Sequence, residues 1–478
     1  MKKIRHDLIL GCVKLLDPLL LTLPFAVCWL RYYAERIAHP FYHRGNWLMI
    51  ASFFVLYLVF SQIYDALLIS FHPLPELVYS QVLALLLADG IMFLVLCLLT
   101  RRLPNILPAL AALAGQVGLA ALWSVLANLW YFSTFPAKPS AVICGVRRGL
   151  ERLVRDCGLE RKFDIRVTAS AEECLEDLHM LDGMDAVFLS GIHSRDRNVL
   201  LKYCMERDIS VYVIPRVGDT LMSGARRVHM LHLPVLRVER YRPAPAYLFV
   251  KRLADIVFSA AAILALSPVM LITAAAIKAG DGGPVLYRQV RLTRDGRPFQ
   301  MLKFRSMRVD AEEDGVPRLS SGDSDGRITP VGHRIRRMHI DELPQLFCIL
   351  SGTMTLVGPR PERPEIAAQY EKELPEFALR LQAKAGLTGY AQVYGKYNTA
   401  PYDKLQMDLM YLAHPSILED LRIILATVKV LFLPESTEGV AEGQITALAA
   451  RKPGEAIHVP CAEPERDEGR NGRCWYRS

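Results

Sequence analysis

The chain has 478 residues, 52% of them hydrophobic, and a mean hydropathy of +0.20, more apolar than an ordinary soluble enzyme and too long for one compact domain. Its 57 Lys and Arg against 49 Asp and Glu give a formal charge of +8, which suits an acidic membrane surface or phosphate-bearing substrates. The ten cysteines, at 12, 28, 97, 144, 157, 174, 204, 348, 461 and 474, form no CxxC pair and no Cys/His cluster at zinc spacing, so they read as reduced, buried or incidental thiols.

From the amino end, apolar stretches at 11–30, 47–64, 78–99 and 106–132 each come near the roughly 20 residues that a spanning helix needs. The first holds Asp17 and Pro18 and has no small-residue cleavage site before Arg31 and Tyr32, so it reads as a span and not as a cleavable signal peptide. Lys2, Lys3 and Arg5 favour a cytoplasmic amino end, yet Arg31, Arg36, Arg44, Arg101 and Arg102 then fall in outer loops. Four crossings return the chain to its starting side, and the later segments look built for cytosolic substrates, so both ends are assigned to the cytoplasm. Asp89, inside the third span, reads as a hydrogen-bonded helix contact, with a functional ionisable group as the alternative.

After Pro136-Ala137-Lys138-Pro139, strand-like runs at 141–144, 164–168, 186–189 and 210–214 alternate with helical patterns at 147–157, 171–181 and 197–207. This predicts a small Rossmann-like α/β domain with a mostly parallel sheet. The first strand runs into Gly145-Val146-Arg147-Arg148-Gly149, which lacks the GxGxxG spacing that brings backbone N–H groups up to a pyrophosphate. The domain therefore reads as degenerate, regulatory or structural.

Lys251, Arg252 and Asp255 then lead into an apolar run from 256 to 277 interrupted by Ser267-Pro268. By length this run could span the bilayer as a fifth helix. Proline removes a backbone donor and crowds the preceding turn, while a serine hydroxyl can satisfy the freed carbonyl, so a break at Ser267 and Pro268 can instead bend the helix back to its starting face. Lys251 and Arg252 read as snorkelling to lipid head groups, with Asp255 pairing to a basic group there.

Downstream, strands and turns carry several cations: Gly283-Pro284-Val285-Leu286-Tyr287-Arg288-Gln289, Asp295-Gly296-Arg297-Pro298-Phe299 and Lys303-Phe304-Arg305-Ser306-Met307. Arg336 and Arg337 follow, then Ile340-Asp341-Glu342-Leu343-Pro344-Gln345, Val357-Gly358-Pro359-Arg360-Pro361-Glu362 and Ala385-Gly386-Leu387-Thr388-Gly389-Tyr390-Ala391-Gln392. Adjacent carboxylates beside arginines can divide the work between a nucleophile and a metal ligand. The plainer reading of Asp341 and Glu342 is an acidic pair at a helix amino terminus.

In their order, these motifs and the Ser-Pro helix resemble the monotopic phosphoglycosyl transferases, also called bacterial sugar transferases, over about 250–433. The amino-terminal half resembles, more loosely, the long subfamily that primes exopolysaccharide, capsule or O-antigen synthesis. The apolar runs and the strand-helix alternation, with the resemblance, give a transmembrane helical bundle at 1–135, the α/β domain at 136–245 and an α+β monotopic catalytic domain at 246–434 with a re-entrant helix at 250–279, and the polar, charge-mixed composition beyond Pro434 predicts a disordered tail at 435–478. It implies transfer of a sugar-1-phosphate from a UDP-sugar to undecaprenyl phosphate at the cytoplasmic face of the bacterial inner membrane. Asp341 is implied as the nucleophile that forms a phosphosugar-aspartyl intermediate and expels UMP, and Glu342 as a Mg²⁺ ligand. Lys303, Arg336 and Arg360 match motif cations that would hold the donor; Arg305 ranks below Lys303, with a surface salt bridge as its alternative. The lipid bilayer and a homodimer are implied partners, and nucleic acid is not.

Three departures stand out. Where the family commonly reads Asn-Ile-Leu-Lys-Gly-Asp-Met-Ser, this chain reads Cys348-Ile349-Leu350-Ser351-Gly352-Thr353-Met354-Thr355, so an amide, a lysine and a carboxylate are missing. Gly395-Lys396-Tyr397-Asn398 is a candidate specificity segment, and 421–433 reads as an amphipathic helix suited to the membrane interface. A membrane-bound nucleotide-sugar dehydratase would need an intact glycine fingerprint and a Tyr-x-x-x-Lys pair, and neither is present in the α/β segment. A non-catalytic glycan-assembly scaffold is the third reading.

Overall fold

The computed structural model describes residues 2–41, 43–145, 159–230, 232–309, 311, 326–395 and 399–431. Cys157, Cys461, Cys474, the helix expected at 147–157, Val146 to Gly149 of the glycine turn, Lys396-Tyr397-Asn398 and the tail at 435–478 lie outside the described residues.

Four long helices open the chain: α1 (Lys2–Cys28), α2 (His43–Ile63), α3 (Leu74–Thr100) and α4 (Leu107–Thr134). α3 and α4 carry Pro75 and Pro108 as their second residues, where the missing N–H is one that no helix carbonyl would have used. Small and aromatic residues make the inner seam, with Phe25 stacked on Phe53 at 4.4 Å and Ala84, Ala88 and Ala120 fully buried, while Leu15, Leu23, Leu94 and Leu98 face outward. One hydrogen-bond chain joins all four helices. Tyr57 donates to Asp17 Oδ2 (2.8 Å), Gln81 donates to Asp17 Oδ1 (3.3 Å), and Ser124 donates to Gln81 Oε1 (2.8 Å). Asp17, not Asp89, is thus the hydrogen-bonded carboxylate. Among the described residues none donates to Asp89, whose Oδ2 is buried without a partner. A sequence shows which carboxylates lie within a span, but not which one meets donors from neighbouring helices.

The α/β region holds β1 (Lys138–Cys144), β2 (Phe163–Ser170), β3 (Ala186–Ser190) and β4 (Ser210–Ile214), all parallel, in the order β2-β1-β3-β4. The helix expected at 171–181 divides into α5 (Ala171–Glu176) and a 3-10 turn (Leu178–Leu181), because the Asp177 carboxylate caps the second piece by accepting from His179 N–H. α6 (Ser194–Glu206) covers the one expected at 197–207. Gly145 lies against the backbone of Gly191, and a Cβ there would stand 2.4 Å from the Gly191 carbonyl oxygen. Close approach of β1 to the end of β3 is a sufficient reason for this glycine.

Next come α7 (Val217–Ser223) and the hairpin β5 (Arg226–Met230)/β6 (Leu233–Arg237), and then the 37-residue α8 (Pro245–Asp281). The remainder is the antiparallel pair β7 (Leu286–Leu292)/β8 (Pro298–Phe304), α9 (Pro330–Arg337), α10 (Gln345–Ser351), β9 (Thr355–Val357), α11 (Pro364–Glu373), β10 (Gly386–Thr388), α12 (Tyr390–Tyr394), α13 (Pro401–Ala413) and α14 (Ile417–Leu431). α7 docks on α13, where Thr220 donates to Gln406 Oε1 at 2.6 Å, and Val217, Leu221 and Tyr241 join the core of Val357, Ile366, Leu405 and Leu409.

α8 stays helical through Ser267 and Pro268. Pro268 offers no N–H to the Leu264 carbonyl, and the Ser267 hydroxyl donates to that oxygen at 2.8 Å. Lys251 and Arg252 are bound by protein groups, not left for lipid: Lys251 pairs with Asp420 (2.7 Å), and Arg252 donates to the Ile349 and Leu350 carbonyls at the end of α10 (2.7 and 2.8 Å). Among the described residues no basic group hydrogen-bonds to Asp255. It accepts from Thr355 Oγ1 (2.8 Å) and Leu356 N–H (2.9 Å), pinning α8 to β9. Further along, Ala262 and Ile263 meet Phe299 and Leu346, and Ile277 meets Phe304 and Ile335.

α14, expected at the lipid interface, packs Leu425 and Val428 into the core of the amino-terminal helices. Lys429 pairs with Glu76 (2.9 Å), the Tyr79 hydroxyl donates to the Lys429 carbonyl (3.0 Å), and Arg422 lies 3.6 Å from Asp65. In all, five helices among the described residues are long and apolar enough to cross a membrane: the four amino-terminal ones and α8.

Candidate active site

Asp341 and Glu342 sit on a single 3-10 turn (Ile340–Glu342) between α9 and α10. His339 enters it in the left-handed conformation (φ 54°), reversing the chain as α9 ends, and Pro344 closes it. Ile340 and Leu343 pack inward against Ile277, Phe304 and Ile335. The apolar residues on either side of the pair are thus anchored, which fixes the acids between them.

Two other motifs converge on Glu342. Lys303, from β8, donates to Glu342 Oε1 at 2.8 Å, and Arg360, from the turn after β9, reaches the same oxygen at 3.1 Å. That turn is held by neighbouring motifs. β9 and β10 run parallel, and a Cβ on Gly386 would stand 2.2 Å from Gly358 N, so only paired glycines let the Gly-Pro-Arg-Pro and Gly-Leu-Thr-Gly segments touch. Gly358 N–H donates to Thr388 O (2.8 Å) and Leu292 N–H to Glu362 O (3.0 Å).

The two carboxylates are driven apart electrostatically. Although burial opposes it, Lys303 and Arg360 hold Glu342 well below the usual carboxylate range, as an anion. Burial pushes Asp341 up; Glu342 adds to this, while Lys303, Arg336 and His339 pull the other way. Among the described residues none donates a hydrogen bond to the Asp341 carboxylate, and Arg336 acts on it only through its field. The side chain open to new bonds is therefore the one whose negative charge is least stabilised.

Arg305 is buried, with its guanidinium against Gly283, so it is not a surface side chain. The three departures form a local cap: the Ser351 and Thr353 hydroxyls both donate to the Cys348 carbonyl (2.9 Å each), and the buried Cys348 thiol faces Gln300 O (3.7 Å). None of them hydrogen-bonds to Asp341 or Glu342. Sequence reasoning missed His339, whose left-handed turn has no composition signal, and the buried pair Arg380 and Asp408 (2.7 Å) behind the Arg360 turn, which lie far apart in sequence.

Among the described residues no group of three or more His, Cys, Asp or Glu converges as a metal cage. Magnesium ordinarily uses one or two carboxylates with water and substrate phosphates. Glu342 Oε2 accepts no hydrogen bond from a described residue, so the pair fits that pattern.

The family described as "Bacterial sugar transferase" matches residues 246–434, the segment that carries every group in this cluster. The chain is 37% identical over 234 residues to the UDP-N-acetylgalactosamine-undecaprenyl-phosphate N-acetylgalactosaminephosphotransferase of Aeromonas hydrophila, covering 48% of this chain and 54% of that one. It is 34% identical over 261 residues to the UDP-glucose:undecaprenyl-phosphate glucose-1-phosphate transferase of Klebsiella pneumoniae, covering 53% and 56%. The chain thus spans a little over half the length of these two relatives. A protein of Caulobacter vibrioides, also described as a UDP-glucose:undecaprenyl-phosphate glucose-1-phosphate transferase, is 40% identical over 191 residues, which are 39% of this chain and 71% of that one. With the matched segment, its motifs and most of a shorter relative in agreement, the chain belongs to the bacterial sugar transferase family.

Proposed function

We propose that this protein transfers a sugar-1-phosphate from a UDP-sugar to undecaprenyl phosphate, releasing UMP and initiating the synthesis of an exopolysaccharide, capsule or O-antigen. The observation that carries this reading is Glu342 gripped by Lys303 and Arg360 beside an Asp341 that receives no hydrogen bond from a described residue. A carboxylate oxygen of Asp341 attacks the phosphorus that bears the sugar, and the bond to UMP breaks with its electron pair leaving on UMP. An oxygen of undecaprenyl phosphate then attacks the same phosphorus and regenerates the carboxylate. Lys303, Arg336 and Arg360 offset the charge of the diphosphate. Glu342 would hold Mg²⁺ through Oε2, and the ion, when bound, supplies charge neutralisation at the diphosphate.

The reading includes a re-entrant α8, with the α/β and catalytic regions both on the cytoplasmic face of the bacterial inner membrane. At about 1.5 Å per residue its 37 residues extend about 55 Å, more than the roughly 30 Å of a bilayer core. Yet α8 touches the catalytic region near both ends, through Lys251 and through Ile277. The α2–α3 connection supports the same arrangement. Lys162 of the α/β region donates to Ser70 (2.8 Å), and Arg422 of the catalytic region approaches Asp65, so segments before and after α8 meet one loop.

Nucleotide release from protein in lipid nanodiscs, with Mg²⁺, undecaprenyl phosphate and a panel of UDP-sugars, tests the function. UMP formed with one donor and lost in Asp341→Asn is expected; UDP would indicate ordinary glycosyl transfer and overturn the mechanism.

A further inference from the structure

Behind the Arg360 turn lies a second group of charges. Arg380 and Asp408, 2% and 1% exposed, pair through Nε (2.8 Å) and Nη2 (2.7 Å), and the same Nη2 donates to the Arg360 carbonyl at 2.9 Å. This ties α13 to the turn that carries Arg360. Arg291 and Arg380 approach Glu362 at 3.6 and 3.8 Å. Lys404 lies one helical turn before Asp408, so it shares the face of α13 turned toward Arg380 and the Arg360 turn. It is half-buried, and its ammonium makes no hydrogen bond or ion pair with any described residue.

Three cations (Arg291, Arg380 and Lys404) therefore meet two carboxylates (Glu362 and Asp408), and arginines already engage both carboxylates. Burial, with Arg380 and Arg360 nearby, lowers the Lys404 pKa despite Glu362 and Asp408. An ammonium partly withdrawn from water without a hydrogen-bonded counter-charge is costly. Arg360, whose side chain is 44% exposed, is among the charges that act on Lys404.

We propose that Lys404 is a substrate-contacting cation that forms, with Arg360, a second phosphate-binding subsite for a phosphate monoester or diphosphate. The proposal rests on the transfer reading, because that reaction brings two phosphate-bearing substrates to one site in turn. Lys303, Arg336 and Arg360 serve the anion at Asp341, and Lys404 extends the positive surface to a phosphate on the far side of Arg360.

The test is acylation of lysines in the full chain in nanodiscs, with peptide mass spectrometry read at Lys404 and at the exposed Lys372 as control. It compares no addition, inorganic pyrophosphate, UDP-glucose, UDP-N-acetylgalactosamine and undecaprenyl phosphate. Selective slowing at Lys404 is expected. Protection by undecaprenyl phosphate alone assigns the subsite to the carrier, and protection by a UDP-sugar assigns it to the donor. No protection by any of these overturns the proposal. Protection needs no turnover, so it is independent of wild-type UMP release, whose failure would instead count against the transfer reading. In kinetics, Lys404→Met should raise KM for the protecting substrate roughly ten- to hundredfold, with Lys404→Arg staying within about threefold of wild type. Both KM values within about twofold of wild type in Lys404→Met would also overturn it.

Discussion

At the scale of the residue, the site is a charge-sorting device. Two adjacent carboxylates share one turn, and the cations go to Glu342, so Asp341 carries the higher pKa of the pair. Asp341→Asn should lower kcat at least about a thousandfold, since it removes the proposed nucleophile. It should not lower the thermal midpoint and is expected to raise it, because a carboxyl with a raised folded-state pKa costs stability once pH rises above its unfolded value. Calorimetry on the variant at neutral pH checks this. The same sign governs rate: protonating Asp341 blocks the proposed attacking carboxylate, so activity should fall as pH drops through the raised value. The acid limb of kcat/KM should therefore have its midpoint above the ordinary 3.8 of an aspartate, read from a pH–rate profile. Behind the turn, Arg380→Met should cost about 3–5 kcal/mol in denaturant unfolding, because it leaves Asp408 buried without its cation. The acids and the three motif cations were legible because their chemistry is written in residue type. Arg380 and Asp408 were not, because nothing in a sequence brings residues 28 positions apart into contact.

At the scale of the element, α8 replaces a lost backbone bond with a side-chain one. Ser267→Ala should cost about 1–3 kcal/mol, since the Leu264 carbonyl then has neither the hydroxyl nor an N–H from Pro268. The double variant Ser267→Ala/Pro268→Ala should recover most of that, because it restores a backbone N–H at position 268 that can donate to the Leu264 carbonyl. Thermal unfolding in nanodiscs distinguishes the two, and a double variant no better than the single would reject the account. The Ser-Pro signal was readable in advance because proline chemistry is local. The docking of α14 was not: its amphipathic pattern shows that an apolar face must be covered, and the nearby α2 and α3 cover it with Leu425 and Val428 against them.

At the scale of the whole molecule, both folded regions meet the loop between α2 and α3, and the catalytic region also holds α8 along its length. A single cytoplasmic face for both follows from the proposed topology. Cysteines replacing Arg195 in the α/β region and Arg297 in the catalytic region should react with an impermeant maleimide only from the cytoplasmic side, and one replacing Leu103 only from the opposite side. Labelling of positions 195 and 297 from opposite faces would make α8 a span and reject the re-entrant reading.

The long apolar runs, the alternation of strands and helices, and the motifs with their acids and cations are local properties, so the sequence by itself determined which helices are long and apolar enough to cross a membrane, the parallel α/β region and the family resemblance. Hydrophobic length and residue chemistry need no partners to be read. Only the tertiary structure decided that Asp17 and not Asp89 joins the four helices, that Arg252 caps α10 while Lys251 pairs with Asp420, and that Glu342 takes both Lys303 and Arg360. Each of these depends on which groups distant in the chain come within hydrogen-bond reach, and packing alone sets that distance.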